Sequence, residues 1–189
     1  MKFIIIAVLL AASPVSAQSL GEKTGVNELL DKPPTATDVL LEIHQFDLFQ
    51  QQVSDSADKR GDDGVKAVSK AASAAADKRG DELLAVQKKA ELKFAFPEEV
   101  SQARDNRLGG LSGSVAEVYI RNFYKAQHDE YESVLSTLKR YLAKPDNDVV
   151  RAFVEKQMPV LEADLKKLDV AQTAGPVKPA AKEQKSNSK

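Results

Sequence analysis

The chain has 189 residues, of which 27 are basic and 28 are acidic, so its formal net charge is −1. This balance disfavours a strongly basic nucleic-acid-binding protein and a cationic membrane-surface protein as interpretations of the whole chain. The sequence contains no Cys. Thiol catalysis, zinc fingers and cysteine-ligated iron–sulfur clusters are therefore excluded.

The first residues have the pattern of a signal peptide. Lys2 precedes an apolar run over residues 3–12, which is too short to span a bilayer but suits the core of a signal peptide. Small residues at Val15 and Ala17 predict cleavage between Ala17 and Gln18. We therefore expect residues 1–17 to be removed and the mature protein to be periplasmic or secreted, with no integral membrane segment. The alternative is that the run is retained as an uncleaved membrane anchor.

The composition at both ends of the mature chain differs from that of its middle. Residues 18–37 contain several Gly and Pro residues with little periodicity, which predicts a flexible linker. Residues 172–189 are rich in Pro, Ala, Lys and Ser, and such a tail buries too little apolar surface to offset its ordering entropy. We expect residues 38–171 to form the folded domain.

Apolar residues at helical spacing predict two long helices in the first half of this domain. The first covers about residues 37–59, with the stripe Val39, Ile43, Phe46, Gln50, Val53 and Ala57. The second covers about residues 63–92, with the stripe Val65, Val68, Ala72, Ala76, Gly80, Leu83, Val86 and Ala90. Because Ala72, Ala76 and Gly80 recur every four residues, we expect a neighbouring helix to approach closely there.

A short helix and two further long helices are predicted downstream. Pro97 and the two acids that follow it suit a first helical turn, and Gly109-Gly110 suits the end of that short helix. Ser114 and Glu117 have the spacing of a capping box that opens the third long helix.

The last long helix is expected to follow Pro145, with Asp146 as its N-cap. Its apolar stripe continues to Leu168, with Pro159 inside it. No window alternates with period two for long enough to form a strand. We therefore predict an all-α fold, an antiparallel four-helix bundle with a short extra helix between the second and third long helices.

Several short sequence elements resemble those of the DUF4142 family of exported bacterial proteins. They are Val65-Lys66-Ala67, Asp81-Glu82-Leu83, Leu111-Ser112-Gly113, His128, Ala152-Phe153, Met158-Pro159 and Leu161. The resemblance covers about residues 46–168 and implies a ferritin-like bundle of undefined function.

The chain departs from this family pattern at three places. It has Ala75-Ala76 where an Asp-His pair is usual, Gln127 in place of the Asp before His128, and Asp164 where a His is common. If those polar residues form a site in other members, the resemblance implies that much of that site is missing here.

The histidines provide one candidate metal site. His128 and Glu132 are four residues apart and share a helix face, and Asp164 is a candidate third ligand from the last helix. The sequence contains no Glu-x-x-His motif of the kind that di-iron and di-manganese bundles use. The alternative to a metal site is a His128 that is hydrogen-bonded at the edge of the core.

One short string occurs twice, and each copy contains Arg-Gly-Asp, a tripeptide that some adhesion proteins present to integrins. Arg60-Gly61-Asp62 is predicted at the turn between the first two helices, and Arg79-Gly80-Asp81 within the second helix. An incidental repeat at charged helix positions is the favoured interpretation.

The sequence favours a non-catalytic exported bundle over an enzyme, because neither a nucleophile elbow nor a phosphate-binding glycine loop occurs in it. We expect a structural, stress-related or interaction module of the bacterial periplasm that requires no cofactor and does not bind nucleic acid. An unknown protein partner is possible. The alternatives are a metal-binding bundle with iron, manganese or zinc at His128, Glu132 and Asp164, and a surface adhesive protein that uses Arg60-Gly61-Asp62.

Overall fold

The computed structural model describes residues 32–174, which contain five helices. In chain order they are α1 (Ala36–Arg60), α2 (Asp63–Lys89), α3 (Gln102–Ser112), α4 (Ala116–Ala143) and α5 (Asp148–Ala174). No strand occurs between residues 32 and 174, which confirms the predicted all-α class for this part of the chain. Within the same range, no helix combines the length and the apolar character needed to cross a membrane. The predicted signal peptide, residues 18–31 of the predicted linker and residues 175–189 of the predicted tail lie outside the described residues.

Two hydrogen bonds fix the relative direction of α1 and α4. The backbone N–H of Ala36 donates to Asp146 Oδ1 at 2.9 Å, and Arg60 Nη1 donates to the Ser114 carbonyl at 2.7 Å. The start of α1 therefore lies beside the end of α4, and the end of α1 lies beside the start of α4. These two helices run antiparallel. Helix α2 packs against α1 and α5, and α5 also packs against α4.

The apolar core receives side chains from all five helices. Its buried members include Val39, Ile43, Phe46, Val53, Val65, Leu83, Leu111, Phe123, Val134, Leu138, Val150, Val154 and Leu161. Every residue of the stripe predicted for the first helix is buried, which confirms which face of α1 is turned inward. Burying each of the larger aliphatic or aromatic side chains contributes about 1.5–3 kcal/mol to folding.

The short helix begins later than the sequence predicts, at Gln102 rather than near Pro97. The segment before it is tied to α1, because His44 Nε2 donates to the Pro97 carbonyl at 2.7 Å and Gln45 Nε2 donates to the Glu99 carbonyl at 2.9 Å. A helix would use these carbonyls internally. Tertiary hydrogen bonds therefore override the helix-start pattern at Pro97.

The predicted capping box at Ser114 and Glu117 is wrong. The N-cap of α4 is Val115, which makes no side-chain cap hydrogen bond. Ser114 Oγ instead donates to the Gly110 carbonyl at 2.9 Å. The hydroxyl therefore completes the end of α3 rather than the start of α4.

The predicted N-cap of the last helix is also wrong by one residue. Asn147 Oδ1 accepts from the backbone N–H groups of Val149 and Val150, at 3.0 and 3.2 Å. The Asp146 carboxylate is used instead by the N–H of Ala36. Asp and Asn are similar N-cap residues, so the sequence alone does not separate them.

The expected close approach at Gly80 does not occur. Ala72 and Ala76 are buried, but a Cβ atom added at Gly80 would meet nothing within 4 Å. Arg79, which is 4% exposed, takes the inward position at this level of α2.

Candidate functional site: buried charges between the helices

A buried ion pair joins α1 to α2. Arg79 Nη2 donates to Asp47 Oδ1 at 2.6 Å, and Arg79 Nε lies 2.9 Å from Oδ1 and 3.2 Å from Oδ2 of the same carboxylate. Each side chain is 5% exposed. Both carboxylate oxygens therefore face the guanidinium group, in the forked geometry that Arg and carboxylates prefer.

The buried position makes Asp47 titrate at an unusual pH. Burial raises the pKa of Asp47 to about 7, although the charge and hydrogen bonds of Arg79 lower it and Asp77 raises it further. The guanidinium carbon of Arg79 also lies 5.5 Å from the centre of the Phe46 ring, within the range of a cation–π contact. Asp47 thus exchanges a proton near neutral pH in contact with a permanent cation.

Tyr131 of α4 lies within electrostatic range of this pair. Its ring centre is 4.9 Å from that of Phe46, in an edge-on arrangement. Burial raises the pKa of Tyr131 well above its ordinary value, Asp164 and Asp47 raise it further, and Arg79 lowers it. The phenol therefore stays protonated, among ionisable groups from α1, α2 and α5.

A second buried charge network fastens α3 to α1 and α4. Arg104 Nε donates to Glu130 Oε2 at 2.7 Å, and Arg104 Nη2 donates to Glu42 Oε1 at 2.7 Å. Arg107 of the same helix pairs with the other oxygen of Glu130. The side chain of Glu130 is fully buried, so its charge depends on these two guanidinium groups.

Arg104 remains cationic despite its burial. Burial acts to lower its pKa, but the charges and hydrogen bonds of Glu42 and Glu130 act in the opposite direction and raise it overall. One of the two carboxylates belongs to α1 and the other to α4. Arg104 therefore links α3 to both of these helices.

A sequence model of one protein family, described as "Domain of unknown function (DUF4142)", matches residues 23–170. The chain belongs to the DUF4142 family. The match includes both buried charge networks and confirms the resemblance that the short sequence elements indicated. No curated protein and no solved structure matches the chain significantly.

Two of the three departures from the expected DUF4142 pattern lie in the interior. Ala76 is 1% exposed and Gln127 is fully buried, whereas Asp164 is only partly buried. Polar residues at the first two positions would face the core, close in sequence to Arg79 and Glu130. In this DUF4142 domain, the buried polar side chains include guanidinium–carboxylate pairs, amides and hydroxyls.

The structure brings only part of the predicted metal site together. His128 Nδ1 lies 3.5 Å from Glu132 Oε2, and the other ring nitrogen, Nε2, lies 3.9 Å from Asp169 Oδ1. Asp164 Oδ1 accepts instead from Lys167 Nζ at 2.8 Å. Within residues 32–174, no group of three or more His, Asp or Glu residues is arranged to hold a metal ion. Metal binding at His128, Glu132 and Asp164 stays a prediction.

The two Arg-Gly-Asp copies occupy the predicted positions, one at the turn between α1 and α2 and one within α2. In the first copy, Asp62 Oδ1 accepts from the Val65 N–H at 2.8 Å and caps α2, while Arg60 is bonded to Ser114. In the second copy, Arg79 is the buried partner of Asp47. Both copies therefore have a structural use in the DUF4142 domain.

Sequence reasoning missed the charged core residues. A signal was present, because Asp47 lies four residues after Ile43 and Glu130 lies four residues before Val134, so both occupy positions on apolar helix faces. A charge at such a position is costly unless it is paired, which predicts a buried partner. The spacing does not identify that partner, because Arg79 and Arg104 come from other helices.

Proposed function

We propose that this DUF4142 protein is an exported, non-catalytic helical module that serves a structural, stress-related or interaction role in the bacterial periplasm. In this proposal α1, α2, α4 and α5 form an antiparallel, ferritin-like four-helix bundle, and α3 is an accessory helix. The proposal is supported chiefly by the way in which the interior carboxylates are used.

Each of the two most buried carboxylates is held by arginine. Both oxygens of Asp47 face Arg79, and the two oxygens of Glu130 are shared between Arg104 and Arg107. A bundle that binds two metal ions, or a hydrolase whose general acid or base is a carboxyl group, must direct carboxylate oxygens at an ion or a substrate. Pairing with arginine favours a use of these groups in holding the helices together.

The test of this structural role is complementation with a charge-free pair. A deletion strain would be grown under osmotic, acid and oxidative stress and supplied with the double variant Asp47→Leu/Arg79→Met, after its export and helicity had been checked. A structural role predicts that the double variant restores growth as well as the natural protein does. Failure to restore growth by an exported and folded variant would contradict a purely structural use of these two charges.

Export is proposed from the signal-peptide pattern of residues 1–17. The full chain would be expressed in a bacterium, the cells fractionated, and the intact mass of the protein measured. We expect a periplasmic chain that begins at Gln18. The control variant Ala17→Lys should block cleavage. A natural chain that remains in the cytoplasm with Met1 in place would contradict export.

A metal-binding function is a second candidate, favoured by the 3.5 Å approach of His128 to Glu132. Elemental analysis of untagged protein, purified from the periplasm, would compare the natural chain with His128→Ala and with the control His44→Ala. Near-stoichiometric iron, manganese or zinc that is lost only in His128→Ala would support this function. Metal far below one ion per chain, not restored by added ions, would remove it.

Adhesion through Arg60-Gly61-Asp62 is a third candidate, favoured by the position of this string at a helix–helix turn. Because Asn caps helices as well as Asp does, Asp62→Asn keeps α2 capped while it changes the tripeptide. Asp81→Asn changes the second copy and is the matched control. Loss of cell binding in Asp62→Asn alone would support adhesion, and equal binding by both variants would eliminate it.

A further inference from the structure

Two glutamine side chains in the core have hydrogen-bonding groups that the protein does not use. Gln50 of α1 and Gln127 of α4 are fully buried. Among residues 32–174, neither the nitrogen nor the oxygen of either amide has a hydrogen-bond partner. A buried polar group that is left unpaired loses its hydrogen bonds to water without replacement, so four such atoms in one core call for a partner.

The two amides lie at the same level of the fold. Phe46 of α1 and Tyr131 of α4 are in ring contact at 4.9 Å, and the two helices run antiparallel. Gln50 comes four residues after Phe46, and Gln127 comes four residues before Tyr131. Because the helices are antiparallel, both steps lead about one helical turn in the same spatial direction from the contacting rings. Gln50 and Gln127 therefore face each other as a second pair.

Small side chains of α2 lie beside this pair of amides. Gln51 Nε2 donates to Asp77 Oδ1 at 2.6 Å, which sets the register of α2 on α1. Ala76, the neighbour of Asp77, is therefore at the level of Gln50, and Ala72 is one turn nearer the start of α2. Both alanines are buried, and their methyl side chains are the shortest that a chiral residue can place in a core.

We infer that Gln50 and Gln127 together form an internal water-binding site, bounded on one side by Ala72 and Ala76. Each amide offers one acceptor oxygen and a nitrogen with two N–H donors, so the occupant must both donate and accept hydrogen bonds. Water does both and is small enough for a helical interior, where buried waters typically make about three hydrogen bonds. The site is independent of the proposed function.

The experiment compares long-lived internal water in the natural chain and in two variants by ¹⁷O and ²H magnetic relaxation dispersion. Gln50→Leu/Gln127→Leu removes the site. Gln157→Leu is the matched control, because Gln157 is also a buried amide but already donates to Glu82 Oε2 at 2.8 Å. We expect the long-lived water signal to fall by at least one molecule in the double variant and to be unchanged in the control.

A second measurement needs only the natural chain, in case the double variant does not fold. Side-chain amide protons of Gln50 and Gln127 should show direct cross-relaxation peaks to water in nuclear Overhauser spectra. An unchanged dispersion signal in a folded double variant would overturn the inference. So would a crystal structure in which the two amides bond directly to each other, or an extra mass in native mass spectrometry that identifies a bound solute instead.

Discussion

Arg79 and Asp47 join α2 to α1 through a guanidinium–carboxylate contact of 2.6 Å inside the apolar core. Both side chains are almost completely removed from water, so each charge depends on the other for its solvation. Removing one partner leaves the other charge buried alone, whereas removing both leaves no buried charge. Comparing the stability of the single and double variants therefore shows whether the fold needs the ion pair itself or only side chains that fill its space.

We expect Arg79→Met to lower the free energy of unfolding by about 3–5 kcal/mol, because it leaves Asp47 buried without its cationic partner. The double variant Asp47→Leu/Arg79→Met should recover most of this loss. Urea unfolding, followed by circular dichroism at pH 8, measures both values. Lys167→Met is the control, since Lys167 pairs with Asp164 at the surface, where water screens the two charges and the pair contributes little to stability. A double variant as unstable as Arg79→Met would contradict the pairing argument.

The raised pKa of Asp47 predicts that stability decreases as the pH rises. The ordinary pKa of an Asp is 3.8, and in the folded protein that of Asp47 is about 7. The folded state therefore binds a proton more tightly than the unfolded state does. The stability from this group is fully present below pH 3.8 and is lost as the pH rises through 7.

This pH dependence is measured by urea unfolding at intervals between pH 4 and pH 8. Asp47→Asn should remove the contribution of this group and flatten the profile, whereas the exposed control Asp58→Asn should leave the slope unchanged. Identical slopes for the natural chain and Asp47→Asn would show that Asp47 does not titrate in this range.

Arg104 is predicted to control the docking of α3. Arg104→Gln removes the cation that links Glu42 to Glu130, while Arg107 still neutralises Glu130 in part. We expect faster amide hydrogen exchange across residues 102–112, with a smaller change in α2, because α3 contributes few apolar side chains of its own to the core. Hydrogen exchange followed by mass spectrometry measures this protection.

Arg121→Gln, at an exposed position of α4, is the control for Arg104→Gln. Unchanged protection of α3 in Arg104→Gln would mean that Leu111 and its apolar neighbours are sufficient to hold it.

The glycines of the two repeated strings should respond in opposite ways to Ala. A Cβ at Gly61 would lie 2.5 Å from Val65 Cγ1 and 2.7 Å from the Ala57 carbonyl oxygen, so Gly61→Ala should destabilise the protein by about 1–3 kcal/mol. A Cβ at Gly80 would meet nothing within 4 Å, and Gly80→Ala should stabilise α2 by about 0.5–1 kcal/mol. Thermal unfolding of both variants measures the two effects. A stabilising Gly61→Ala would mean that the turn relaxes around the new methyl group.

The sequence by itself determined the helical class and the inward face of α1, because a repeat near 3.6 residues is a local property that needs no knowledge of neighbours. It also provided the family relationship, since its short elements are read directly from the residues. The start of α3 was misplaced because it depends on contacts with another helix, which a local pattern does not contain. His44 and Gln45 hold the carbonyls of Pro97 and Glu99, and these contacts join positions far apart in the chain.

Only the tertiary structure decided how the interior charges pair. Asp47 lies 32 residues from Arg79, and Arg104 lies 62 residues from Glu42, so no local pattern connects them. The sequence pattern indicated a candidate site at His128, whose ring is partly exposed. It gave no prediction for Glu130, which lies two residues later and is fully buried. Which charges enter the core is set by the packing of whole helices, because a buried carboxylate is tolerated only where another helix brings a guanidinium group to it.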